Sequence, residues 1–539
     1  MEIRVRGPGR RLREAVCPLS VDTHAYDAFT VSRILRLAAD RAPGTLAVGY
    51  PGGPGLTYRE LLDSATRLGN ALLGLGLAPG DRVAAWMEDV VEYVQVYAAC
   101  ALAGLVVVPI NARLTVHEAS FPLLDSGARV LVYTEGLAER VAALTSTDMI
   151  LIPVTAMDPG VPTLGERIAT GSDQQLPPVG PDDLYMIGYT SGTTGRPKGA
   201  MLTQGSVATL ARMNALAYRL PIGSVAALTG SMSFVSVVPA HIISHFYVAG
   251  TALLLGRWNV GSLLDTIEKE RVTFTYLPSP LLSDFAVAAA ADPRRWRSLV
   301  SLLHSGSKAS ATKLREVADV VGGLLVEGLG MTENSGGLVT ATVPGDTDPS
   351  RDRLGTVGRA VPEVLITVVD PLGHPLPHDG ETEGELVFQS PALMTGYWNN
   401  PGATAEAMRD GWYHTGDLGS VDAQGYVRIS ERRVDLIVSG GMNVYPSEVE
   451  EVILTVSGVL ACAVVGLPHE RWGQTVAASI VVAPGHVLTE ADILERCKEM
   501  LASFKKPTLI RFVEGLPTTA GLKVSRAQVR LDMSGPWPT

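Results

Sequence analysis

Cysteine is scarce in this chain: four residues in 539, Cys17, Cys100, Cys462 and Cys497, lie far apart with no C-x-x-C pair. That spacing offers neither a zinc site nor a disulfide framework, and it reads as four isolated thiols in a reduced compartment. Charge is modest, at 18% of residues, and the formal net charge is −11. A protein that tracks nucleic-acid phosphates usually carries a basic domain, so this balance argues against one. It leaves room for a single nucleotide, which needs only a few local donors. There is no G-X-Y period, which excludes collagen, and no 20–50-residue repeat or low-complexity tract. No apolar run follows Arg4, Arg6, Arg10, Arg11 and Arg13, so a solvated basic arm is expected there and not a secretory leader. The longest apolar stretch, Tyr93 to Ile110, is broken by Gln95, Gly104 and Pro109. It predicts a helix ending near Ala103, Gly104 as its stop, and a buried strand Leu105–Val108, in preference to a membrane span. Without targeting signals the expected location is the cytoplasm.

What is present is core-forming material, with 46% hydrophobic residues. Helix and strand alternate up to about residue 430. Thr57 to Leu75 has helical spacing, Arg82–Trp86 reads as a strand, and Thr115–Ser126 and Arg129–Tyr133 repeat the pair. Such alternation predicts parallel sheets covered on both faces. From Gly355 to Ile429, runs such as Leu365–Val369, Glu385–Phe388 and Tyr426–Ile429 lie between Gly, Pro and Asp turns, which predicts an antiparallel, barrel-like section. The remainder reads as a smaller α+β unit with helices Ser447–Val456 and Glu490–Leu501. The expected fold is therefore α/β. A large N-terminal domain (1–432, its barrel-like section at about 355–430) precedes a small mobile α+β domain (433–539).

The most informative segment is Tyr189-Thr-Ser-Gly-Thr-Thr-Gly-Arg-Pro-Lys-Gly199. Glycines permit close backbone approach, successive amides and hydroxyls can cradle an anion, and Lys198 adds a point charge. The spacing is not that of a Walker A loop. On composition alone a surface turn explains it equally well. Gly328-Leu-Gly-Met-Thr-Glu333 sets a hydroxyl beside a carboxylate, which suits Mg²⁺ next to phosphate or, equally, a helix cap.

As an ordered string the first segment closely resembles the signature of the adenylate-forming superfamily (acyl-CoA synthetases, luciferases and peptide-synthetase adenylation domains). Further motifs follow in the family's order. The resemblance implies that Thr190, Ser191, Gly192, Thr193, Thr194, Gly195 and Lys198 hold the nucleotide's phosphates, and that Gly328, Leu329 and Gly330 also bind the nucleotide. It gives Thr332 and Glu333 catalytic roles, Glu333 as the Mg²⁺ ligand. Trp412-Tyr-His-Thr-Gly-Asp-Leu418 resembles the ribose motif, with Asp417 and Arg432 as its contacts. His304-Ser-Gly-Ser-Lys-Ala309 falls where the family lines its adenine and acyl pockets, at Gly306, Ser307 and Lys308. Ser231, Ser233 and Phe234 fall in the acyl region. Ser439-Gly-Gly-Met-Asn-Val-Tyr-Pro-Ser-Glu448 resembles the loop along the pantetheine tunnel, so Ser439, Gly440 and Gly441 are the implied coenzyme A contacts. Leu516-Pro-Thr-Thr-Ala-Gly-Leu-Lys523 resembles the segment of the catalytic lysine. With only eight lysines in the chain, one at each of the family positions 198 and 523 is less readily background. Gly384-Glu-Leu-Val-Phe388 and Gly396-Tyr-Trp-Asn-Asn-Pro401 also fit, as structural segments.

The activity so implied is that of an acid:CoA ligase. A carboxylate attacks the α-phosphorus of MgATP, and the acyl-adenylate then passes its acyl group to the thiol of coenzyme A. The small domain rotates between the steps about a hinge at Val434. The implied cofactors are ATP, Mg²⁺ and coenzyme A. A carrier-protein thiol acting in trans is an alternative acceptor, and a homodimer is compatible with the sequence. Small residues (Gly230, Ser231, Ser233, Ser236, Gly306, Ser307) favour a bulky or long apolar acid. Lys308 either meets a polar substrate group or faces solvent.

Several positions depart from the pattern. Val434 stands for Asp or Lys, Glu431 for Gly, Leu329 for an adenine-stacking aromatic and Leu522 for the Gly before the lysine. Ser231-Met-Ser-Phe-Val-Ser236 replaces a common Phe-His pair. They motivate an alternative in which the protein only thioesterifies a pre-formed acyl-adenylate. An oxygenase of luciferase type and a non-catalytic binding relative are the other classes, the latter opposed by Lys198, Glu333, Asp417 and Lys523.

Overall fold

The computed structural model describes residues 29–144, 148–157, 160–190, 197–256, 259–278, 281–306, 311–348, 353–432, 437–517, 524 and 526–534. The basic arm, Cys17, Ser191 to Gly195, Ser307, Lys308, Val434 and Lys523 lie outside them.

Helix α1 (Tyr58–Gly74) starts on a reciprocal cap between Thr57 and Glu60. Strand β1 (Arg82–Met87) leads to α2 (Val91–Ala103), which is buried on nearly all sides and stops where Gly104 turns left-handed at φ 68°. Strand β2 (Val106–Asn111) follows, so the long apolar run is a core helix and strand. The strand runs three residues beyond its expected end at Val108. Helix α3 (Val116–Ser126) begins on a second reciprocal cap, Thr115 with Glu118.

Strand β3 (Leu184–Thr190) lies parallel to β2, and β4 (Lys198–Thr203) returns antiparallel beside β3, with Thr190 directly opposite Lys198. Among the described residues these strands belong to a seven-stranded sheet. A second seven-stranded sheet holds β5 (Phe274–Tyr276), β6 (Ser301–Ser305) and β7 (Leu325–Gly328) as parallel neighbours at one end. Each sheet is parallel, as expected, except at one edge, where antiparallel strands join it. A link as short as Thr190 to Lys198 can only return antiparallel, whereas a parallel neighbour needs a crossover.

The section expected to curl as a barrel is an antiparallel sheet of Leu365–Val369, β8 (Gly384–Gln389), β9 (Trp412–Val421) and Met408–Arg409, with β10 (Val427–Arg432) against β9. The ribose motif lies in the ten-residue β9. Its polar His-Thr-Gly-Asp run conceals the alternation that marks a strand.

The small domain has its own core of Ile437, Val444, Val449, Ile453, Val464, Ile480, Ile493 and Cys497. It comprises β11 (Ile437–Ser439), β12 (Met442–Val444), α4 (Pro446–Leu454), β13 (Val459–His469), β14 (Gly473–Val482), α5 (Glu490–Met500) and β15 (Leu509–Val513). Cys100, Cys462 and Cys497 are free thiols, as their spacing predicts.

Candidate active site

Four motifs distant in sequence meet at Tyr397. Its phenol donates to Oε1 of Glu333 at 2.8 Å and lies 3.3 Å from the hydroxyl of Tyr413. The Lys198 ammonium sits over its ring, 5.3 Å from the centroid, a cation–π arrangement. Burial first, then the charge of Glu333, pushes the Tyr397 phenol well above its ordinary range, and the same two causes act on Tyr413. Both phenols therefore stay protonated near neutral pH, and Tyr397 is a fixed donor. The sequence reading gave the Gly396-Tyr-Trp segment a structural role only. The structure places its tyrosine between the lysine and the carboxylate.

Glu333 is held by its backbone. Thr332–Asn334 form a single 3-10 turn, closed by Asn334 Nδ2 donating to Leu338 O and by the Ser335 hydroxyl donating to Ala392 O. Met394 N–H donates to the carbonyl of Glu333 at 2.7 Å. The position before the turn is Met331, which makes no side-chain cap, so Thr332 is not a capping residue. On the facing strand, a Cβ on Gly188 would come within 3.3 Å of Thr332 Cγ2; glycine lets the turn close on β3. Thr190, at the end of β3, bonds through its hydroxyl to Lys198 O at 3.3 Å.

Asp417 is buried on β9, directly opposite Arg432 on β10. The strand register thus brings together the two residues expected to share the ribose. Gly306 follows β6 at φ 79°, and the Tyr276 hydroxyl beside it donates to Ser305 O. Gly328 closes β7, and Gly330 pairs across a bridge with Leu338. Leu329 is buried, and its N–H donates to the Thr340 hydroxyl. Beside these loops lies a buried histidine–carboxylate contact that sequence reasoning missed: His304 Nδ1 on β6 faces Glu327 Oε2 on β7. Burial raises the Glu327 carboxyl pKa, and His304 offsets part of that rise.

The expected acyl region is organised by another missed residue. Asp89 Oδ1 accepts from Ser231 Oγ at 3.0 Å and from Met232 N–H at 2.7 Å, and Ser231 Oγ lies 3.1 Å from Ser233 Oγ. These hydroxyls hold the loop's shape. Phe234 is 39% exposed and so does not fill the interior. The segment then enters a π-helical stretch, Ser236–Ile242.

In the small domain Ser439 ends β11, and Gly440 and Gly441 have φ 59° and 79°. A Cβ on Gly440 would meet Trp472 Cε3 at 2.9 Å, and one on Gly441 would meet Pro278 Cβ at 3.4 Å. Pro278 follows β5 of the large domain, so this loop lies against the end of the second sheet. The phenol of Tyr445 is within electrostatic reach of Tyr397. Trp472, 42% exposed, carries the Arg471 guanidinium over its ring at 4.7 Å.

Residues 35–398 match the family model described as AMP-binding enzyme, and residues 448–523 match its C-terminal domain. This chain belongs to the AMP-binding enzymes. A feruloyl-CoA synthase from Amycolatopsis sp is 37% identical over 502 residues, covering 91% of this chain and 96% of the relative. A double mutant of o-succinylbenzoate CoA synthetase from Bacillus subtilis, bound to a CoA product analogue, superposes with a TM-score of 0.83 at 26% identity over 92% of this chain and 98% of that one. ATP-bound MatB from Rhodopseudomonas palustris gives 0.67 at 30% identity over 93% and 98%. This AMP-binding enzyme is accordingly an AMP-forming acid–thiol ligase, using ATP, Mg²⁺ and coenzyme A.

The donor set fits the metal. Glu333 offers a partly exposed carboxylate beside the Thr332 hydroxyl, both hard oxygens. Among the described residues no cluster of three or more His, Cys, Asp or Glu could hold a metal. Mg²⁺ needs none, since one or two carboxylates with phosphate and water complete its shell. Among the described residues no helix is long and apolar enough to cross a membrane.

Proposed function

We propose that this ligase activates a bulky or long apolar carboxylic acid and passes it to coenzyme A, with the adenylating centre at the junction of Lys198, Glu333 and Tyr397. The single observation that carries the reading is the position of Tyr397, within reach of both an ammonium and a carboxylate. A cation and a metal-binding carboxylate at one point suit a polyphosphate, and Mg²⁺ held there by Glu333 would offset phosphate charge.

In this reading Thr190 and Lys198 hold the phosphates, with Ser191, Gly192, Thr193, Thr194 and Gly195 between them. Asp417 and Arg432 hold the ribose, and Gly306, Ser307, Gly328, Leu329 and Gly330 border the base and the acyl group. Lys523 supplies the cation for the first step. Positioning and preorganised charge then dominate over acid–base chemistry. Ser439, Gly440 and Gly441 line the path of the pantetheine arm, where two glycines leave room for a thin chain. Trp472 offers an aromatic face to its nucleotide end. The two steps call on different faces of the small domain, turned about Val434. The size of the acid is supported by the small residues of the acyl region and by the feruloyl-CoA synthase relative. Three free thiols among the described residues support a reducing, cytoplasmic setting.

The test is mass spectrometry of products from a carboxylic-acid library supplied with ATP, Mg²⁺ and coenzyme A. Acyl-CoA and AMP from large acids are expected. Acetate or benzoate outrunning larger acids would overturn the size assignment. No acyl-CoA from any acid would overturn the ligase reading.

A further inference from the structure

We infer that Lys505 is a positioning residue for acyl transfer to the thiol, fixing the small domain against helix α3 so that the Ser439 loop faces the site. The inference rests on the ligase reading above. Lys505 follows α5 and is 6% exposed. Its ammonium donates to Glu448 Oε1 at 2.7 Å in its own domain and to Glu118 Oε1 at 2.8 Å in the large domain. The other oxygen of Glu118 is already committed to the cap, accepting from Thr115 N–H and Oγ1 at 2.9 Å each. Thr115 Oγ1 also approaches Met500 O, the last residue of α5, at 3.3 Å. The cap of α3 and the end of α5 therefore meet at one buried point. The Glu118 carboxylate that caps the helix also receives the cation.

Glu448 and Lys505 share a domain and turn together, whereas Glu118 stays behind. Any rotation of the small domain leaves the Lys505–Glu448 contact intact and breaks the contact with Glu118. The bridge to Glu118 therefore stabilises this orientation alone. Breaking one partner from a buried ionic group is costly, because the charge left behind stays out of water. Burial by itself would lower the ammonium's pKa, but the two carboxylates reverse that and hold it charged. This same orientation sets Gly441 against Pro278 and Tyr445 near Tyr397. The chain also superposes more fully on the synthetase holding a CoA product analogue than on the ATP-bound one. Neither Glu118 nor Lys505 belongs to the nucleotide site.

The deciding variant is Glu118→Gln, whose amide oxygen can keep the cap while its N–H₂ faces the ammonium. Two half-reactions are followed with ferulate as probe: acid-dependent ATP–pyrophosphate exchange, and acyl transfer from synthetic feruloyl-adenylate to coenzyme A. Transfer is expected to fall about tenfold while exchange stays within about twofold, and Lys505→Met should reproduce the split. In parallel, spin labels at Glu139→Cys and Glu490→Cys, both exposed positions, report the distance between domains. A single narrow distribution is expected to broaden or shift in Glu118→Gln. An unchanged distribution, or transfer and exchange falling together or not at all, would overturn the proposal. A wild type inactive on both probes and on the acid library would count against the ligase reading, and the label distances would still judge the bridge.

Discussion

Tyr397 and Glu333 are 64 residues apart, yet the phenol of one donates to the carboxylate of the other at 2.8 Å, with Lys198 over the same tyrosine ring. Tyr397→Phe should lower kcat for acid-dependent pyrophosphate release about tenfold, with a smaller change in KM for the acid. A positioned donor to a charged group is worth roughly 1.5–3 kcal/mol. A purely structural tyrosine would instead change the thermal midpoint and leave kcat alone.

Asp417→Asn tests the β9–β10 register. If the carboxylate meets the ribose hydroxyls, KM for ATP should rise about tenfold with kcat less affected. Initial rates against ATP at saturating acid measure this. An unchanged KM would mean that Asp417 does not meet the ribose.

Gly440→Ala places a Cβ 2.9 Å from Trp472 Cε3 and forces a left-handed φ of 59° on alanine. Strain of about 1–2 kcal/mol is expected. KM for coenzyme A should rise several-fold while ATP–pyrophosphate exchange is unchanged. Equal loss of both would show that the loop serves adenylation as well.

The acid limb of stability should follow two histidines. Burial lowers His241 to about 3 and His245 to about 4, the neighbouring His245 adding to the effect on His241. Both are neutral when folded, and they take up protons on unfolding below about pH 6.5. Their contribution is thus fully present above about pH 6.5 and is lost as pH falls toward the folded values. Each costs about 1.4 kcal/mol per pH unit within that window. His241→Phe, among Tyr218, Phe274 and Tyr276, keeps the aromatic packing and should flatten the slope in urea titrations between pH 6 and 4.

How much of this was legible in the sequence depends on the range of the interactions. Helix α2, its stop at Gly104 and strand β2 were readable because spacing and a left-handed glycine are local. The motifs carrying Lys198, Glu333 and Asp417 were readable as strings whose chemistry lies within a few residues. Strand β9 was hidden, because His414, Thr415, Gly416 and Asp417 interrupt its apolar alternation. Tyr397, Asp89 and the Glu118–Lys505 bridge were not legible, since their partners are 64, 142 and 387 residues away and only the sheet order brings them together. Leu329 stands where the family stacks an aromatic on adenine; it is buried, and its backbone N–H donates to the Thr340 hydroxyl.

The most direct test of the adenylating centre compares two assays on the wild type and on Glu333→Gln. One supplies acid, ATP, Mg²⁺ and coenzyme A; the other supplies synthetic acyl-adenylate and coenzyme A. The account predicts that the wild type makes acyl-CoA in both. Glu333→Gln should lose about a hundredfold in the first, the scale of a removed electrostatic group, and little in the second. A wild type that makes acyl-CoA only from the pre-formed adenylate would contradict it.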